Sequence, residues 1–207
     1  MSYQISRLDL RTVENRPYLF DANIWLLILG IKTDPKGFDI KYMNYFQDVF
    51  AAAQKGEATI LLSSLMVSEI VNRYILTVEM VKYAKSKGDD ARTPNYFKLK
   101  FRPTAAYIAA RAKIYDDLSI YKSGCQLISD NFGMTGFGFP ELLDPSNAVL
   151  DFGDNYFYKL ALLHHAVLVT HDADFFLENL PIYTLNTQLL EKMKIAVASK
   201  AAPSSSN

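Results

Sequence analysis

Short apolar runs alternate with longer amphipathic segments over most of the chain. The runs at 18–20, 59–62, 126–128, 167–169 and 181–185 predict buried strands. Apolar residues at helical spacing predict helices over 24–31, 38–54, 65–85, 104–121 and 187–198, and one that begins near residue 154. Strands that alternate with helices predict an α/β fold, a three-layer α/β/α sandwich with a central, mostly parallel sheet.

The length of 207 residues suits one domain with a full hydrophobic core. We expect that domain to span residues 17–198, with a polar insertion at about 86–103. Residues 1–16 have a weak pattern and are interpreted as an N-terminal lead-in. The segment 199–207 reads as a disordered C-terminal tail.

Charge is balanced over the whole chain but not along it. Lys and Arg together number 22, as do Asp and Glu, so no overall basic field favours bulk nucleic-acid binding. Residues 69–122 hold 11 basic against 6 acidic residues, whereas 130–191 hold nine acidic residues and the single Lys159. A basic arm facing an acidic pocket suits a polyanion held near metal ions, and solvated helix faces explain the same counts.

Cysteine usage and hydropathy indicate an intracellular protein. Cys125 is the only cysteine, so an intramolecular disulfide is excluded and a reducing compartment is expected. The N-terminus lacks the pattern of a secretory signal, and no apolar run approaches the ~18 residues of a membrane-spanning helix. We therefore expect a cytoplasmic protein without membrane contact.

The stretch 151–175 holds the densest polar chemistry. Helical spacing from Asp154 gives an apolar stripe, so Asp154 heads the core-facing side of a helix. The buried run 167–169 then ends in a Thr-x-Asp-x-Asp pattern that contains Thr170, Asp172 and Asp174. Carboxylates near an apolar core lose hydration and repel one another, so they need protons, basic partners or a metal. The stripe consists of Phe157, Tyr158, Ala161 and Leu162.

Four acids fall at the carboxyl edge of the predicted sheet, where ligands of parallel α/β sheets bind. Asp21, Glu69 and Asp172 follow strands, and Asp154 opens the helix that leads into one. Carboxylates gathered there call for Mg²⁺ or Mn²⁺, hard cations that favour carboxylate and water oxygens. Two such ions about 4 Å apart support in-line phosphoryl displacement. Thr170 would ligate through its hydroxyl or orient a neighbouring Asp.

Simpler roles also explain two of these acids taken alone. Asp21 is of a type that caps helices, although Asn23 can cap the same helix by itself. Glu69 is also explained as a surface residue in the first turn of a helix, where the dipole favours negative charge.

Three segments resemble the signature regions of PIN-domain nucleases. They are Phe-Asp-Ala-Asn at 20–23, Ser-Leu-Met-Val-Ser-Glu at 64–69, and Asp154 followed by Leu-Val-Thr-His-Asp-Ala-Asp-Phe at 168–175. The resemblance runs from 19 to 185 and implies a PIN-like α/β/α sandwich with divalent-metal-dependent ribonuclease activity. It places the family's acidic quartet on Asp21, Glu69, Asp154 and Asp172, with Asn23 and Thr170 as polar support.

The same resemblance carries expectations about cofactor and partners. It implies Mg²⁺ or Mn²⁺ as cofactor and RNA as substrate. Many PIN proteins are VapC-like toxins of toxin–antitoxin pairs that form homodimers, and others process ribosomal RNA or act in RNA decay. A homodimer and an antitoxin protein are therefore expected partners.

Two neighbouring acids compete for places in the metal site, because each lies within one turn of a quartet member. Asp151 competes with Asp154, and Asp174 competes with Asp172. The spacing of Asp154 to the Thr-x-Asp pattern matches the family, which favours Asp154. A non-cleaving PIN scaffold that binds RNA or a protein partner is the alternative function, since a fold does not fix an activity.

Three further motifs are noted, of which the first has two alternative interpretations and the other two have structural ones. Cations alternate with apolar residues over 97–102, which suits either a phosphate backbone with stacked bases or a half-buried edge strand or oligomer contact. The glycine-rich segment 131–140 lacks Gly-Lys-Ser/Thr, so it is not a P-loop, and its phenylalanines indicate a loop over a cleft. His164 and His165 point in different directions on a helix and are expected to pack.

Overall fold

The computed structural model describes residues 3–31, 34–129 and 150–201, with side chains to residue 199. The glycine-rich segment 131–140 and residues 202–207 of the expected tail lie outside these ranges. Residues 199–201 of that tail continue the last helix instead.

Six strands form one sheet in the order β1-β6-β5-β2-β3-β4, and every described pairing is parallel. The five predicted strands are present within about one residue of their expected ends. The sixth strand, β1, lies in the segment interpreted as a lead-in, where Ile5 pairs with Ile182 at the sheet edge. This strand has a weak pattern because only one of its four residues is buried. The strands are β1 Gln4–Arg7, β2 Pro17–Phe20, β3 Thr59–Leu62, β4 Cys125–Leu127, β5 Val167–Val169 and β6 Pro181–Thr184.

The described part of the chain contains seven α-helices, which complete the predicted three-layer α/β/α sandwich. The helix predicted over 65–85 is one helical run with a π-helical turn, Tyr74–Glu79, in its middle. Ser63 caps this run, because its hydroxyl accepts the Met66 N–H at 3.1 Å. None of the described helices has the length and apolar character needed to cross a membrane. The helices are α1 Ala22–Ile28, α2 Gly37–Gln54, α3 Ser64–Arg73, α4 Met80–Lys87, α5 Ala105–Ser119, α6 Phe152–Leu163 and α7 Thr187–Ala201.

The main core surrounds the central strand β2 on both faces. Tyr18 and Phe20 face α2, where their ring centroids lie 6.2 Å from Tyr45 and 4.9 Å from Phe46 respectively. Leu19 between them is also fully buried, so it packs on the opposite face, as strand alternation requires. This burial fixes the carboxyl end of β2, and with it the residue that follows, in a rigid frame.

A second, smaller core holds together the helical arm, which we define as residues 64–119. The segment Phe97–Phe101 is a π-helical turn and not the edge strand that the alternating pattern allowed. Phe97 and Phe101 each pack 5.8 Å from the ring of Tyr107, so their rings lie inside the arm and do not form a base-stacking row. The buried members of this core are Tyr74, Ile75, Ala84, Tyr96, Phe101, Ala110 and Ile114.

Candidate functional site

The candidate site lies at the carboxyl edge of the sheet between β2 and β5. From β2 the chain continues to β3 and β4 on one side, whereas from β5 it continues to β6 on the other. Such a reversal opens a crevice beyond the strand ends, which is where doubly wound sheets bind ligands. Asp21 follows β2 and Thr170 follows β5, and the Asp21 N–H donates to the Val169 carbonyl at 3.0 Å.

Asp21 is the buried carboxylate of the site, with 5% exposure. It is the N-cap residue of α1, and its Oδ1 accepts the Asn23 N–H at 3.4 Å. The Thr170 hydroxyl donates to Oδ2 at 2.9 Å, and the Asn23 amide donates to the same oxygen at 3.3 Å. Capping by Asn23 in place of Asp21 is therefore wrong, and Asn23 instead orients the Asp21 carboxylate.

Thr170 connects Asp21 to Asp172 through one hydroxyl. The hydroxyl oxygen accepts a hydrogen bond from the Asp172 N–H at 2.9 Å, and the same hydroxyl donates one to the Asp21 carboxylate. Asp172 is half-buried, whereas Asp174 is exposed and donates its backbone N–H to the Asp172 carboxylate at 3.0 Å. The negative charge of Asp172 also raises the pKa of Asp21 and Asp154, so Asp172 lies within the acidic group.

Glu69 reaches the site from the middle of α3, not from the first turn as the sequence suggested. Its carboxylate forms a 2.8 Å salt bridge with Arg73, one helical turn later. Arg73 also donates to the side-chain oxygen of Asn23 at 2.6 Å. A cation of the chain itself therefore links Glu69, through Asn23, to Asp21.

Two acids at the start of α6 have different structural roles. Asp151 is exposed and caps the helix, because its carboxylate accepts the Asp154 N–H at 2.9 Å. Asp154 is half-buried in the first turn. The apolar stripe predicted behind it is partly right, since Phe157 and Ala161 are buried while its other two members are half-buried.

Repulsion between like charges dominates the electrostatics of this edge. Burial and the negative charges of Asp151, Asp21, Asp172 and Glu69 together raise the pKa of Asp154 to about 7. Burial also raises the pKa of Asp21, against the hydrogen bond from Thr170. The pKa of Glu69 is raised by burial and lowered in part by the nearby guanidinium group. Five carboxyl groups thus share one region whose negative charge is only partly balanced.

The donor set fits a hard divalent cation by chemical type. Carboxylate, hydroxyl and amide oxygens suit Mg²⁺ and Mn²⁺, and a bound cation relieves the repulsion that raises the pKa of Asp154. In residues 3–31, 34–129 and 150–201, however, no three His, Cys, Asp or Glu side chains form a ready-made metal cage. Glu69 is paired with Arg73, so binding by all four acids would require this side chain to turn towards Asp21.

Two residues beside the acids were not identified from the sequence. The Tyr42 hydroxyl of α2 donates to the Thr170 carbonyl at 2.9 Å and accepts the Leu185 N–H at 2.6 Å, which joins the ends of β5 and β6. Helical periodicity showed Tyr42 only as a core position. Arg73 had a visible signal, because it stands four residues after Glu69 on the same helix face.

The two adjacent histidines lie away from the acids. His164 is the C-cap residue of α6, and Asp151 is its N-cap residue. A helix of 12 residues is about 18 Å long, so the histidines stand at the far end of it.

Comparisons with known proteins identify no family for this chain. No protein-family model matches the chain, and no curated protein matches it. Among solved structures, the chain is similar to VapBC2 from Rickettsia felis, crystallised with a DNA fragment from their promoter. The TM-score is 0.44 and the identity 18%, over 81% of this chain and 98% of that one. Function therefore has to be inferred from the residues of the site.

Proposed function

We propose that this protein is a divalent-metal-dependent endoribonuclease that hydrolyses RNA phosphodiester bonds. The observation that carries the proposal is the gathering of acids from four separate segments at the crevice between β2 and β5. The resemblance to PIN-domain nucleases supports the same reading. The proposed ligands of Mg²⁺ or Mn²⁺ are Asp21, Glu69, Asp154 and Asp172, with Asn23, Asp151, Thr170 and Asp174 as secondary positions.

The chain's own residues provide the frame for this chemistry. A bound Mg²⁺ or Mn²⁺ ion supplies Lewis acidity towards the phosphodiester. Thr170 and Asn23 fix the orientation of Asp21, and the Thr170 hydroxyl also holds the backbone at Asp172. Without a cation the carboxylates repel an RNA phosphate, so a bound metal should strengthen substrate binding.

We also propose a cytoplasmic homodimer that acts as the toxin of a toxin–antitoxin pair or as an RNA-processing nuclease. This part is supported by the resemblance of 20–23, 64–69 and 168–175 to PIN-domain nucleases. Light scattering of the purified protein tests the dimer, and co-expression with adjacent genes tests for an antitoxin that suppresses cleavage.

The proposed activity is tested by cleavage of structured and single-stranded RNAs in Mg²⁺, Mn²⁺ or EDTA. We expect cleavage with either metal and none in EDTA. Asp154→Asn should lower the rate at least about 100-fold, because a ligand of a catalytic ion supports several kcal/mol of stabilisation. Asp9→Asn is the matched control, since Asp9 is paired with Arg7 and Lys41 and follows the edge strand β1, which β6 separates from β5. Pure protein that binds Mn²⁺ and RNA but cuts neither class of RNA would refute the proposal.

A non-cleaving scaffold that binds RNA or a protein is the second candidate. The pairing of Glu69 with Arg73 favours it, because that acid is already neutralised. RNA affinity that is equal in EDTA and Mn²⁺, and unchanged by Asp21→Asn, would establish this alternative.

A further inference from the structure

A groove beside the acidic site runs between the helical arm and the start of α6. Its volume is about 400 Å³, within the range of about 300–1,000 Å³ typical of small-molecule sites. The helical arm lines one wall with the polar Ser68 and Asn72 and the apolar Leu65 and Leu76, and Phe152 of α6 lines the other. Glu69 and Arg73 belong both to the groove and to the acidic site, so a ligand in the groove lies next to the carboxylates.

Phe152 presents an aromatic ring to solvent at the mouth of the site. Its side chain is 55% exposed, although it stands directly after the capping residue Asp151 and two residues before Asp154. Gly153, which also lines the groove, has no side chain to cover the ring. A single exposed apolar residue is ordinary, so the position of Phe152 beside the acids is what makes it informative.

The groove combines three chemical features that suit a nucleotide. Phe152 offers a flat apolar face for stacking. Asn72 and Ser68 are exposed and hydrogen-bonded to each other at 3.3 Å, and both types of side chain donate and accept, as the edge of a base requires. Arg73 puts a positive charge at the inner end, where the phosphate would lie. A nucleobase uses both kinds of lining, because its faces stack on apolar rings and its edge forms hydrogen bonds, whereas an apolar peptide side chain uses only the first.

We propose that this groove binds one unpaired nucleobase of the RNA, stacked on Phe152, next to the phosphate that is cleaved. The proposal rests on the ribonuclease function above and adds a base-binding subsite formed by Phe152, Ser68 and Asn72. A duplex does not fit the groove, because its bases are stacked on one another and only splayed bases reach an aromatic side chain. The groove therefore selects loops, ends and unpaired strands.

Binding in EDTA tests the groove without any cleavage. Phe152→Trp adds an exposed indole, whereas the native Trp25 is fully buried and is the only tryptophan of the chain. Titration with a single-stranded octaribonucleotide should quench the added fluorescence. A ribose–phosphate oligomer of equal length without bases, and a duplex of equal sequence, should quench it little. Equal quenching and affinity for the oligomer without bases would overturn the proposal, and so would saturable binding of an apolar peptide in place of RNA.

Substitution of the ring measures its contribution. Phe152→Ala should weaken binding of the octaribonucleotide in EDTA about 5- to 150-fold, the range expected when one base loses its stacking partner. Phe152→Leu keeps an apolar side chain but not a flat ring and should behave like the alanine variant. Ile195→Ala, at an even more exposed apolar position on α7, should leave the affinity unchanged. An unchanged affinity in Phe152→Ala would overturn the proposal.

The two proposals fail separately. If the protein cuts no RNA but binds RNA better than the oligomer without bases, the nuclease proposal fails and the groove proposal stands. If the protein cuts RNA and Phe152→Ala leaves the KM unchanged, the nuclease proposal stands and the groove proposal fails.

Discussion

Two acidic side chains show how differently this chain treats negative charge. Asp9, close after β1, accepts hydrogen bonds from Arg7 at 2.9 Å and Lys41 at 2.7 Å, and these cations hold its pKa well below its usual range. Asp154, at the carboxyl edge of the sheet, lies instead among four other carboxylates that help to raise its pKa to about 7.

The difference separates an acid whose charge is balanced by cations from acids whose charge is balanced only in part. Around Asp9 the chain places two cations against one carboxylate. Among the five acids of the site, Glu69 forms a salt bridge with a basic side chain of the described residues, that of Arg73. Unbalanced charge near buried positions destabilises the folded protein, and such arrangements are found mainly at functional sites. The deficit at this edge is what a divalent cation would correct.

The largest effect is expected when a positively charged side chain is placed at residue 154. Asp154→Lys should lower the proposed cleavage more than about 100-fold, because a proposed metal ligand is lost and a positive charge takes its place. The same change should stabilise the metal-free protein by about 0.5–2 kcal/mol, since it relieves repulsion between the clustered carboxylates. RNA cleavage assays and urea unfolding in EDTA measure the two effects.

Asp9→Lys provides the control with opposite signs. It would put a third cation beside Arg7 and Lys41, so stability should fall while cleavage is unaffected. If both lysine variants lowered stability alike, the charge deficit at Asp154 would not exist.

A smaller loss is expected when the hydroxyl that supports Asp21 is removed. Thr170→Val leaves the buried Asp21 carboxylate and the Asp172 N–H without this partner, which should cost about 1–3 kcal/mol of unfolding free energy. Activity should fall as well, because Asp21 loses its orientation. Thr184→Val is the comparison, since Thr184 is equally buried and bonds the Asn186 N–H and the Tyr42 hydroxyl, but no carboxylate. A larger effect on activity from Thr184→Val than from Thr170→Val would contradict this assignment.

The fold was largely predictable because its signals are local. Buried strands such as Val167–Val169 carry apolar residues on both faces, and helices such as Gly37–Gln54 repeat them at helical spacing. The edge strand Gln4–Arg7 carried little pattern because three of its four residues are not fully buried. The turn Phe97–Phe101 was ambiguous, because alternation over five residues cannot show that both rings pack against one helix.

The sequence predicts which acidic residues lie at the candidate site, but not the hydrogen bonds that connect them. Asp21, Asp154 and Asp172 stand next to strands or at helix starts, so their positions follow from the order of elements. The hydrogen bond from Thr170 to Asp21 joins residues 149 positions apart, and no local pattern contains it. The salt bridge of Arg73 is local, but only the structure shows that it also reaches Asn23.

The two acids should also give opposite dependences of stability on pH. In metal-free protein, Asp154 titrates near pH 7 when folded and near its ordinary value of 3.8 when unfolded. The folded state therefore holds the extra proton between these values, and Asp154 lowers the unfolding free energy as pH rises from about 4 to 7. The depressed pKa of Asp9 acts below that window, where stability is lost as pH falls.

Urea unfolding in EDTA between pH 4.5 and 7.5 measures this dependence. Asp154→Asn should flatten the decline towards pH 7, whereas Asp9→Asn should leave it unchanged. Added Mg²⁺ should stabilise wild-type protein more at pH 7.5 than at pH 5, because the ionised carboxylate binds the ion. Parallel curves for wild type and Asp154→Asn would show that this carboxyl is not the group that titrates.

The smallest expected effect on stability concerns Arg73, the basic residue that contacts the acidic site. Arg73→Gln removes a half-exposed salt bridge to Glu69 and a hydrogen bond to Asn23, so stability should fall by no more than about 1 kcal/mol. Affinity for Mn²⁺, measured by calorimetry, should nevertheless rise several-fold. The reason is that the guanidinium competes for the Glu69 carboxylate and adds positive charge beside Asp21.

Arg7→Gln is the control, because it removes an equivalent salt bridge at Asp9 and should leave Mn²⁺ affinity unchanged. A fall in Mn²⁺ affinity for Arg73→Gln would reverse the interpretation. Arg73 would then act by holding Glu69 and Asn23 in position for the ion, and the two acidic regions would differ in geometry more than in charge.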